Sequence, residues 1–341
     1  MVVEKRADWG CARVGRASSR AKPSEFPSLA AISETERGFF ICVSFVKLTE
    51  ETLNSKALRV AFQGEPGAFS EAAAVGLLGE AIVTVPRPTF DRTFAAIDEG
   101  AADLLMVPIE NSLAGSVLRV FDLLLAHRLA IRAETVLPIE HDLIACPGAT
   151  LEGILSVESH PMALAQCERL MAAHPDWKRV PAEDTAGSVR EVLERGDLSR
   201  AAIAGRRAAT HYGGIVLASG VQDNAQNFTR FLLLSTDHSP VPAADKMTLV
   251  TRLAHKPGAL LSALQPFARR GVNLLKIESR PIHGCPWEYQ FFLDVEAVSP
   301  GALEEALAEL RSETDEVRVL GLYPGARINP EDFDASAGRK L

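Results

Sequence analysis

The 341-residue sequence predicts an α/β protein with two lobes around a cleft, followed by a smaller ferredoxin-like module. Three observations support this class. From residue 58 onward, short apolar strand patterns alternate with helical ones. The alternation comes in two consecutive sets that divide near Pro138. After a linker marked by Pro240 and Pro242, the order of the patterns becomes βαββαβ.

The first set predicts one lobe. Strands are expected over 58–62, 82–85 and 104–109, and helices over 71–78, 90–97 and 117–126. Ser70 is the expected N-cap of the first helix. Because short links join strand to helix to strand, a parallel sheet with right-handed crossovers is expected.

The second set predicts the other lobe. Strands are expected over 141–146, 154–157 and 201–204, and helices over 162–173, 188–194 and 206–211. Asp184 or Thr185 is the expected cap of the middle helix. Two further strands, 216–218 and 231–235, are expected to return to the first lobe, which places the hinge near 136–138 and 216–218. The first lobe is therefore predicted over 57–137 and 216–236, and the second over 138–215.

The remaining segments complete the domain prediction. Residues 237–245 form the linker and residues 246–325 the βαββαβ module, and 326–341 form a tail. Residues 1–56 are irregular and rich in Arg and Ser, and are predicted to be a disordered extension. A transit peptide and a start codon assigned too far upstream are the alternatives, the former weakened by the acidic residues Glu4, Asp8 and Glu25.

Composition excludes several classes of function. The net charge of -8 disfavours general binding to nucleic acids or anionic membranes, which requires a basic face. The five scattered cysteines form no CxxC pair, and the histidines show no HxxxH spacing, so no metal site is predicted. This cysteine usage suits a reducing cytosol. The apolar run at 38–46 is too short to cross a bilayer.

Polar motifs follow the predicted strands. Motifs beginning at Gly64, Pro108 and Ser159 each lie at or just past the carboxyl end of a strand. In open α/β folds such ends line the ligand cleft. The motif at Asn227 instead precedes its predicted strand, so its position does not follow from this rule.

These motifs resemble those of the prephenate dehydratase family. They are Asn227-Phe228-Thr229-Arg230-Phe231, Pro108-Ile109-Glu110-Asn111-Ser112-Leu113-Ala114-Gly115-Ser116-Val117, Gly64-Glu65-Pro66-Gly67-Ala68-Phe69-Ser70-Glu71 and Ser159-His160-Pro161. The resemblance covers about residues 57–325. It implies a periplasmic-binding-protein-like catalytic domain that removes carbon dioxide and water from prephenate without a cofactor, giving phenylpyruvate.

The resemblance also implies site residues. Thr229 is the expected catalytic residue, and Glu110 is expected either to donate a proton or to orient other groups. The implied substrate-binding residues are Glu65, Gly67, Ala68, Phe69, Ser70, Asn111, Ser112, Gly115, Ser116, His160, Thr185, Ala186, Asn227, Arg230 and Phe231. Each motif also has a plain structural reading, as a tight turn, a helix cap or an exposed strand end with a surface Arg.

The chain departs from the family pattern at two places. Met162 stands where the family usually has Gln, and Ser188 and Val189 stand where members often carry two alanines. The second departure lies in a region that faces the substrate in the family. The choice between prephenate and its amino form, arogenate, therefore stays open.

The C-terminal module has a resemblance of its own. Gly258-Ala259-Leu260-Leu261 and Glu278-Ser279-Arg280-Pro281 are similar to the two signatures of the ACT domain of prephenate dehydratases. The implied allosteric L-phenylalanine site comprises Gly258, Ala259, Leu260, Leu261, Asn273, Glu278, Ser279, Arg280 and Pro281, the last four from a neighbouring subunit. A domain used only for dimerisation is the structural alternative.

The sequence thus predicts a cytoplasmic, homodimeric or homotetrameric prephenate dehydratase inhibited by L-phenylalanine. Arogenate dehydratase is the first alternative, and a catalytically inactive amino-acid sensor is the second. A periplasmic solute receptor shares the two-lobed architecture, but the appended regulatory module argues against it. The intact Thr229 and Glu110 argue against the inactive sensor.

Overall fold

The computed structural model describes residues 57–282, 284–297, 299–314 and 316–326. The predictions for residues 1–56 and for the tail from 327 lie outside these residues. Its strands are β1 (Arg59–Gln63), β2 (Val83–Arg87), β3 (Leu104–Asn111), β4 (Gly115–Ser116), β5 (Ala130–Pro138), β6 (Asp142–Ala145), β7 (Ser156–Ser159), β8 (Lys178–Pro181), β9 (Arg200–Ala204), β10 (Ile215–Ala218), β11 (Phe228–Ser235), β12 (Lys246–Arg252), β13 (Asn273–Pro281), β14 (Tyr289–Glu296) and β15 (Glu316–Tyr323). Its α-helices are α1 (Phe69–Leu78), α2 (Phe90–Asp98), α3 (Leu118–Ala126), α4 (Pro161–Ala165), α5 (Glu168–Ala173), α6 (Thr185–Arg195), α7 (Arg206–Tyr212), α8 (Ala259–Arg269) and α9 (Pro300–Glu313).

The first sheet has the strand order β2-β1-β3-β11-β5, with β4 paired to β3. β1 is parallel to β2 and β3, as predicted, but β11 runs antiparallel to both of its neighbours. The parallel pairing predicted for the three strands joined by helices is therefore confirmed, and β11 adds two antiparallel pairings to the sheet. β5 and β11 are the ends of the two crossings between the lobes, so they run in opposite directions. The sequence pattern missed β5 because buried Arg132 and Glu134 interrupt its apolar residues.

The second sheet has the strand order β10-β6-β9-β7-β8. β10 pairs with β6 in this sheet, so the prediction that 216–218 returns to the first lobe was wrong. The return crossing lies between β10 and β11. The predicted helix 162–173 is divided at Gln166 and Cys167 into α4 and α5. Asp184 caps α6 as predicted, since its side chain accepts the N–H of Gly187.

The C-terminal module has the predicted βαββαβ order, and its sheet runs β13-β14-β12-β15. α8 and α9 cover one face around a core that includes Leu249, Phe267 and Leu293. The opposite face packs on the first lobe, where Phe292 meets Phe121 edge to face at 4.9 Å between ring centroids. The predicted class, a two-lobed α/β domain with a ferredoxin-like module, is confirmed.

Two glycines permit close approaches between these units. Gly67 has φ +90°, and a Cβ there would lie 2.6 Å from the Cα of Ala208 in the second lobe. At Gly321 of β15, a Cβ would lie 2.5 Å from the carbonyl oxygen of Ile131 in the first lobe. A larger residue at either position would force the packed backbones apart. Within the described ranges, no helix combines the length and hydropathy needed to span a membrane.

Candidate active site

Asn111, the last residue of β3, organises the junction of β3 and β11. Its Oδ1 accepts the backbone N–H groups of Leu113 (3.0 Å) and Ala114 (2.8 Å). Because a backbone N–H can only donate, these two bonds fix which end of the amide is oxygen. Nδ2 of Asn111 therefore donates, and it lies 2.9 Å from Oγ1 of Thr229 and 2.7 Å from Oδ1 of Asn227.

The orientation of the Asn111 amide also determines which atoms donate and which accept in Asn227, Gln166 and His141. Because Asn227 accepts through Oδ1, its Nδ2 donates to Oε1 of Gln166, at 3.0 Å. Nε2 of His141 lies 3.1 Å from the same Gln166 oxygen. That oxygen only accepts, so Nε2 of His141 carries the proton. We call Asn111, Asn227, Gln166 and His141 the amide relay.

The amide relay leaves the hydroxyl hydrogen of Thr229 available for a bound molecule. Thr229 accepts from Asn111, so its own hydroxyl hydrogen remains free to donate to a bound molecule. Thr229 is 8% exposed and Asn227 is 1% exposed, so the junction is largely shielded from water. A donor held in such surroundings interacts strongly with developing negative charge.

His141 lies at the buried end of the amide relay. It is 2% exposed, and its Nδ1 has no hydrogen-bond partner within the described residues. Burial lowers the pKa of His141, which favours the neutral ring. Phe69 of α1 contacts the ring edge to face, with 5.6 Å between centroids. The ring is therefore held as a neutral donor through Nε2.

The tautomer of His141 is directly measurable. In protein carrying ¹⁵N-labelled histidine, long-range ¹H–¹⁵N spectra at neutral pH should show His141 as the neutral Nε2–H form. The resonance is assigned by its disappearance in His141→Gln, and exposed His211 provides the reference for an averaged ring. An Nδ1–H tautomer or a charged ring would contradict the polarity derived from Asn111.

The first motif contributes packing to the junction. Ser70 does not cap α1 as predicted. It is buried inside the helix, and the N-cap is Ala68, whose side chain makes no cap bond. Glu65 faces Arg190 of the second lobe at 3.8 Å. The close approach at Gly67 is to the second lobe, so the motif brings the two lobes together.

Two backbone N–H groups in the turn after β3 are not available to a bound molecule. The N–H groups of Leu113 and Ala114 are already bound to Asn111. Ser112 closes the strand pair, since its Oγ accepts from Phe228 N (2.9 Å) and donates to the backbone oxygen of Gln226 (3.1 Å). Gly115 and Ser116 form β4.

Glu110 and Arg230 are placed on the far side of the sheet from Thr229. Glu110 accepts from Nζ of Lys276 in the C-terminal module, at 2.7 Å. Arg230 donates to Glu134 (2.6 Å) and to Asp294 of the same module (2.5 Å). Neither side chain joins the amide relay. Of the two roles expected of Glu110, the structure contradicts proton donation beside Thr229 and leaves the orienting role, and the prediction of Arg230 as a substrate contact is corrected. The reason is strand alternation, which sends neighbouring side chains to opposite faces.

The remaining predicted contacts are mainly structural in this conformation. His160 caps α4 by accepting Met162 N–H at Nδ1, the capping role that the sequence also allowed. Ala186 and Phe231 are buried in apolar clusters, and Thr185 is the first residue of α6. Asn227 lies at the junction, one residue before β11, and Thr229 lies inside that strand.

The C-terminal module contains a separate pocket of about 150 Å³ on its helix side. Its lining is formed by Leu253, Ala254, His255, Lys256, Ala259, Leu260, Glu288, Tyr289 and Phe291. Gly258, with φ +81°, is the N-cap of α8 beside it. Of the predicted effector residues, Ala259 and Leu260 line this pocket. Leu261, Asn273, Ser279 and Pro281 are exposed outside it.

The other two predicted effector residues face the catalytic domain of the same chain. Glu278 accepts from Ser116 Oγ at 2.5 Å, and Arg280 forms a bidentate ion pair with Asp122. The even-numbered residues from 276 to 280 thus share one face of β13. Glu278 and Arg280 are bonded within their own chain here, and their place in the effector pocket of a neighbouring subunit stays a prediction.

Sequence reasoning missed three side chains that matter here, namely His141, Gln166 and Lys276. Gln166 lies inside the segment 162–173 that was predicted as one helix. The structure divides this segment at Gln166 into α4 and α5, which the prediction of one continuous helix did not show. His141 and Lys276 carry no local signal, since their partners lie 25 and 166 residues away.

Comparison with known proteins agrees with this arrangement. The profile of the prephenate dehydratase family matches residues 60–239, and that of the ACT domain matches residues 247–312. "Arogenate dehydratase 3, chloroplastic" from Arabidopsis thaliana is 40% identical over 303 residues, covering 83% of this chain and 70% of the relative.

Two solved structures are similar over most of their length. A prephenate dehydratase from Arthrobacter aurescens in complex with L-Phe is 34% identical, with a TM-score of 0.73, covering 82% of this chain and 96% of that one. A structure described as a quorum quenching acylase, GqqA, is 35% identical, with a TM-score of 0.73, covering 80% and 99%. The sequence, the fold and the paired domain matches place this chain in the prephenate dehydratase family, with a C-terminal ACT domain.

Proposed function

We propose that this protein converts prephenate to phenylpyruvate, carbon dioxide and water. The observation that supports this most is the bond from Asn111 Nδ2 to Thr229 Oγ1, because it leaves the threonine hydrogen free. Such a donor is what the departing ring hydroxyl needs. The family match over residues 60–239 supports the same reaction.

The proposed chemistry requires two bonds to break and one proton to be added. The ring C–O bond breaks as the bond between the ring and its carboxylate carbon breaks. The electrons of the latter bond enter the ring, which becomes aromatic, and carbon dioxide departs. The leaving oxygen takes up a proton to become water. Thr229 donates a hydrogen bond to that oxygen as negative charge develops on it, and solvent supplies the proton that completes the water. The gain of aromaticity drives the reaction, so no cofactor step is needed.

Arogenate is the second candidate substrate, favoured by the 40% identity to a protein named arogenate dehydratase. The same bonds would break, and the product would be phenylalanine. Purified protein should be given each compound separately, with phenylpyruvate and phenylalanine quantified by chromatography. Formation of phenylpyruvate from prephenate supports the first candidate, and turnover of arogenate alone supports the second. No turnover of either compound would refute both.

We further propose that L-phenylalanine binds in the pocket of the ACT domain and inhibits turnover. Backbone N–H groups at the start of α8 suit a carboxylate, and Leu253, Leu260 and Phe291 suit an aromatic ring. Glu288 lies at the same pocket and suits an ammonium group. A similar structure contains L-Phe, which supports this ligand. Titration calorimetry with L-phenylalanine, and with D-phenylalanine as the matched control, tests this binding. Equal heats from the two enantiomers would contradict a stereospecific site in the pocket.

Self-association is proposed through the outer edge of the ACT sheet. β13 is an edge strand of this sheet. Leu275 and Ile277 of β13 and Leu261 of α8 are each more than two-fifths exposed. An unpaired edge with apolar neighbours favours pairing with a second copy. Analytical ultracentrifugation should show a homodimer or homotetramer, and a monomer at micromolar concentration would contradict this.

The proposed compartment is the cytosol. Cys146 and Cys167 are free and buried, which suits a reducing environment. Burial raises the pKa of the Cys167 thiol to about 12, so this cysteine stays protonated and unreactive. Cell fractionation with an antibody to the protein tests the assignment, and recovery outside the cytosol would contradict it.

A further inference from the structure

Two ion pairs join the ACT sheet to β3 and β11, on the face opposite the side chains of Asn111 and Thr229. Glu110 and Arg230 are cross-strand partners on β3 and β11. Lys276 and Asp294 are cross-strand partners on β13 and β14. The two pairs face each other, so that Lys276 meets Glu110 at 2.7 Å and Arg230 meets Asp294 at 2.5 Å.

These pairs lie directly behind the junction described above. Glu110 immediately precedes Asn111, and Arg230 immediately follows Thr229. Asn111 and Thr229 are themselves cross-strand partners. Because successive side chains in a strand share one rigid backbone, fixing the residue on one face also fixes its neighbour on the other. Contacts from the ACT domain therefore restrict the positions of Asn111 and Thr229, whose side chains lie on the opposite face of the same two strands.

Lys276 is the most connected of the ACT residues at this point. Its Nζ also lies 2.8 Å from Oγ of Ser116, and Ser116 donates to Glu278 at 2.5 Å. Ser116 pairs with Glu110 across β4 and β3. One lysine thus ties the end of β3 and the turn that follows it to β13. Asn111 sits at the start of that turn.

We propose that Lys276 is a positioning residue for the dehydratase reaction, supplied by the ACT domain through Glu110 and Ser116. The proposal rests on the proposed function. It assigns to the ACT domain a part in turnover even without effector. Lys276 does not touch the substrate, because the whole sheet separates it from the cleft face, and it acts by holding Asn111 in the orientation that leaves the Thr229 hydrogen free.

A comparison between variants shows whether Lys276 positions Asn111 or only helps to hold the two domains together. Lys276→Met removes the charge and keeps the stem, and Lys276→Arg restores a donor. Arg318→Met is the matched control, because Arg318 also joins the two domains, donating to the backbone oxygens of Leu125 (3.1 Å) and His127 (2.6 Å) at the end of α3. That contact is not behind Asn111 or Thr229.

Lys276→Met is expected to lower kcat about tenfold with KM changed less than about twofold, since the lost interaction acts on the transition state. Lys276→Arg should recover most of the activity, and Arg318→Met should keep the kcat of the wild type. Equal kcat for Lys276→Met and Arg318→Met would overturn the proposal. Wild-type protein that turns over neither substrate would instead refute the proposed function.

Hydrogen exchange gives a readout that does not depend on turnover. In Lys276→Met, backbone amides over 111–116 and 227–230 should exchange faster than in Arg318→Met, because the turn held by Asn111 loosens. Exchange over 142–145 in the second lobe provides the internal reference. Unchanged exchange at 111–116 would overturn the positioning role even if the enzyme assay failed.

Discussion

Replacing Thr229 with alanine is expected to lower kcat at least about 100-fold while the fold stays intact. The hydroxyl accepts from Asn111 and keeps its own hydrogen for the leaving oxygen. Removing it deletes the donor that stabilises charge on that oxygen, an interaction that is strongest in the transition state. The loss should therefore appear in kcat with little change in KM.

Two companion variants make this test specific. Thr229→Ser keeps a hydroxyl and should retain activity within about tenfold of the wild type. Thr229→Val keeps the shape of the 8% exposed side chain and should be as inactive as the alanine variant. Circular dichroism and thermal unfolding would show whether each variant is folded. Valine with near-normal turnover would remove Thr229 from the mechanism.

Replacing Arg230 with methionine is expected to destabilise the protein by about 3–5 kcal/mol, because it leaves buried carboxylates without their partner. The side chain is 12% exposed, and its partners Glu134 and Asp294 are 2% and 7% exposed. Burial alone would lower the pKa of Arg230, but the charges of Asp294 and Glu134 hold that pKa well above its usual value. The guanidinium is therefore charged. Lys246 still pairs with Glu134, so Asp294 is the carboxylate that loses most.

Urea unfolding of Arg230→Met measures this cost. Arg119→Met is the matched control, because Arg119 pairs with Asp91 at the surface, where both side chains are more than half exposed. The control should unfold close to the wild type. A strong rise in KM with unchanged unfolding would instead restore Arg230 as a substrate contact, the role that the sequence motif suggested.

The contrast between Thr229 and Arg230 shows what the sequence could and could not predict. The motif identified both residues, and the strand pattern showed that adjacent residues point to opposite faces. Which face meets the cleft depends on the position of the ACT sheet, whose contact with Arg230 spans 64 residues of sequence. No local pattern contains that information.

Periodicity predicted the elements whose neighbours are close in sequence. The ACT module follows its predicted order throughout, because its strands and helices alternate in clear apolar patterns. β5 was missed because its charged residues are buried against partners from other segments, including Lys246 and Ser239. The amide relay was missed for the same reason, since each of its bonds joins residues that lie far apart in the chain.

The most direct test of the account is the kcat of Asn111→Asp. Aspartate keeps an oxygen for the N–H groups of Leu113 and Ala114, so the turn should persist. It cannot donate to Thr229, and the threonine would turn its hydrogen toward the new carboxylate. We predict a fall in kcat of at least about 100-fold at saturating substrate. The variant should also unfold more readily than the wild type, because its carboxylate would face Oδ1 of Asn227, the acceptor that lies 2.7 Å from Nδ2 of Asn111, so circular dichroism must show that it is folded in the assay. A kcat within about threefold of the wild type would contradict the claim that Asn111 directs the Thr229 hydrogen toward the substrate.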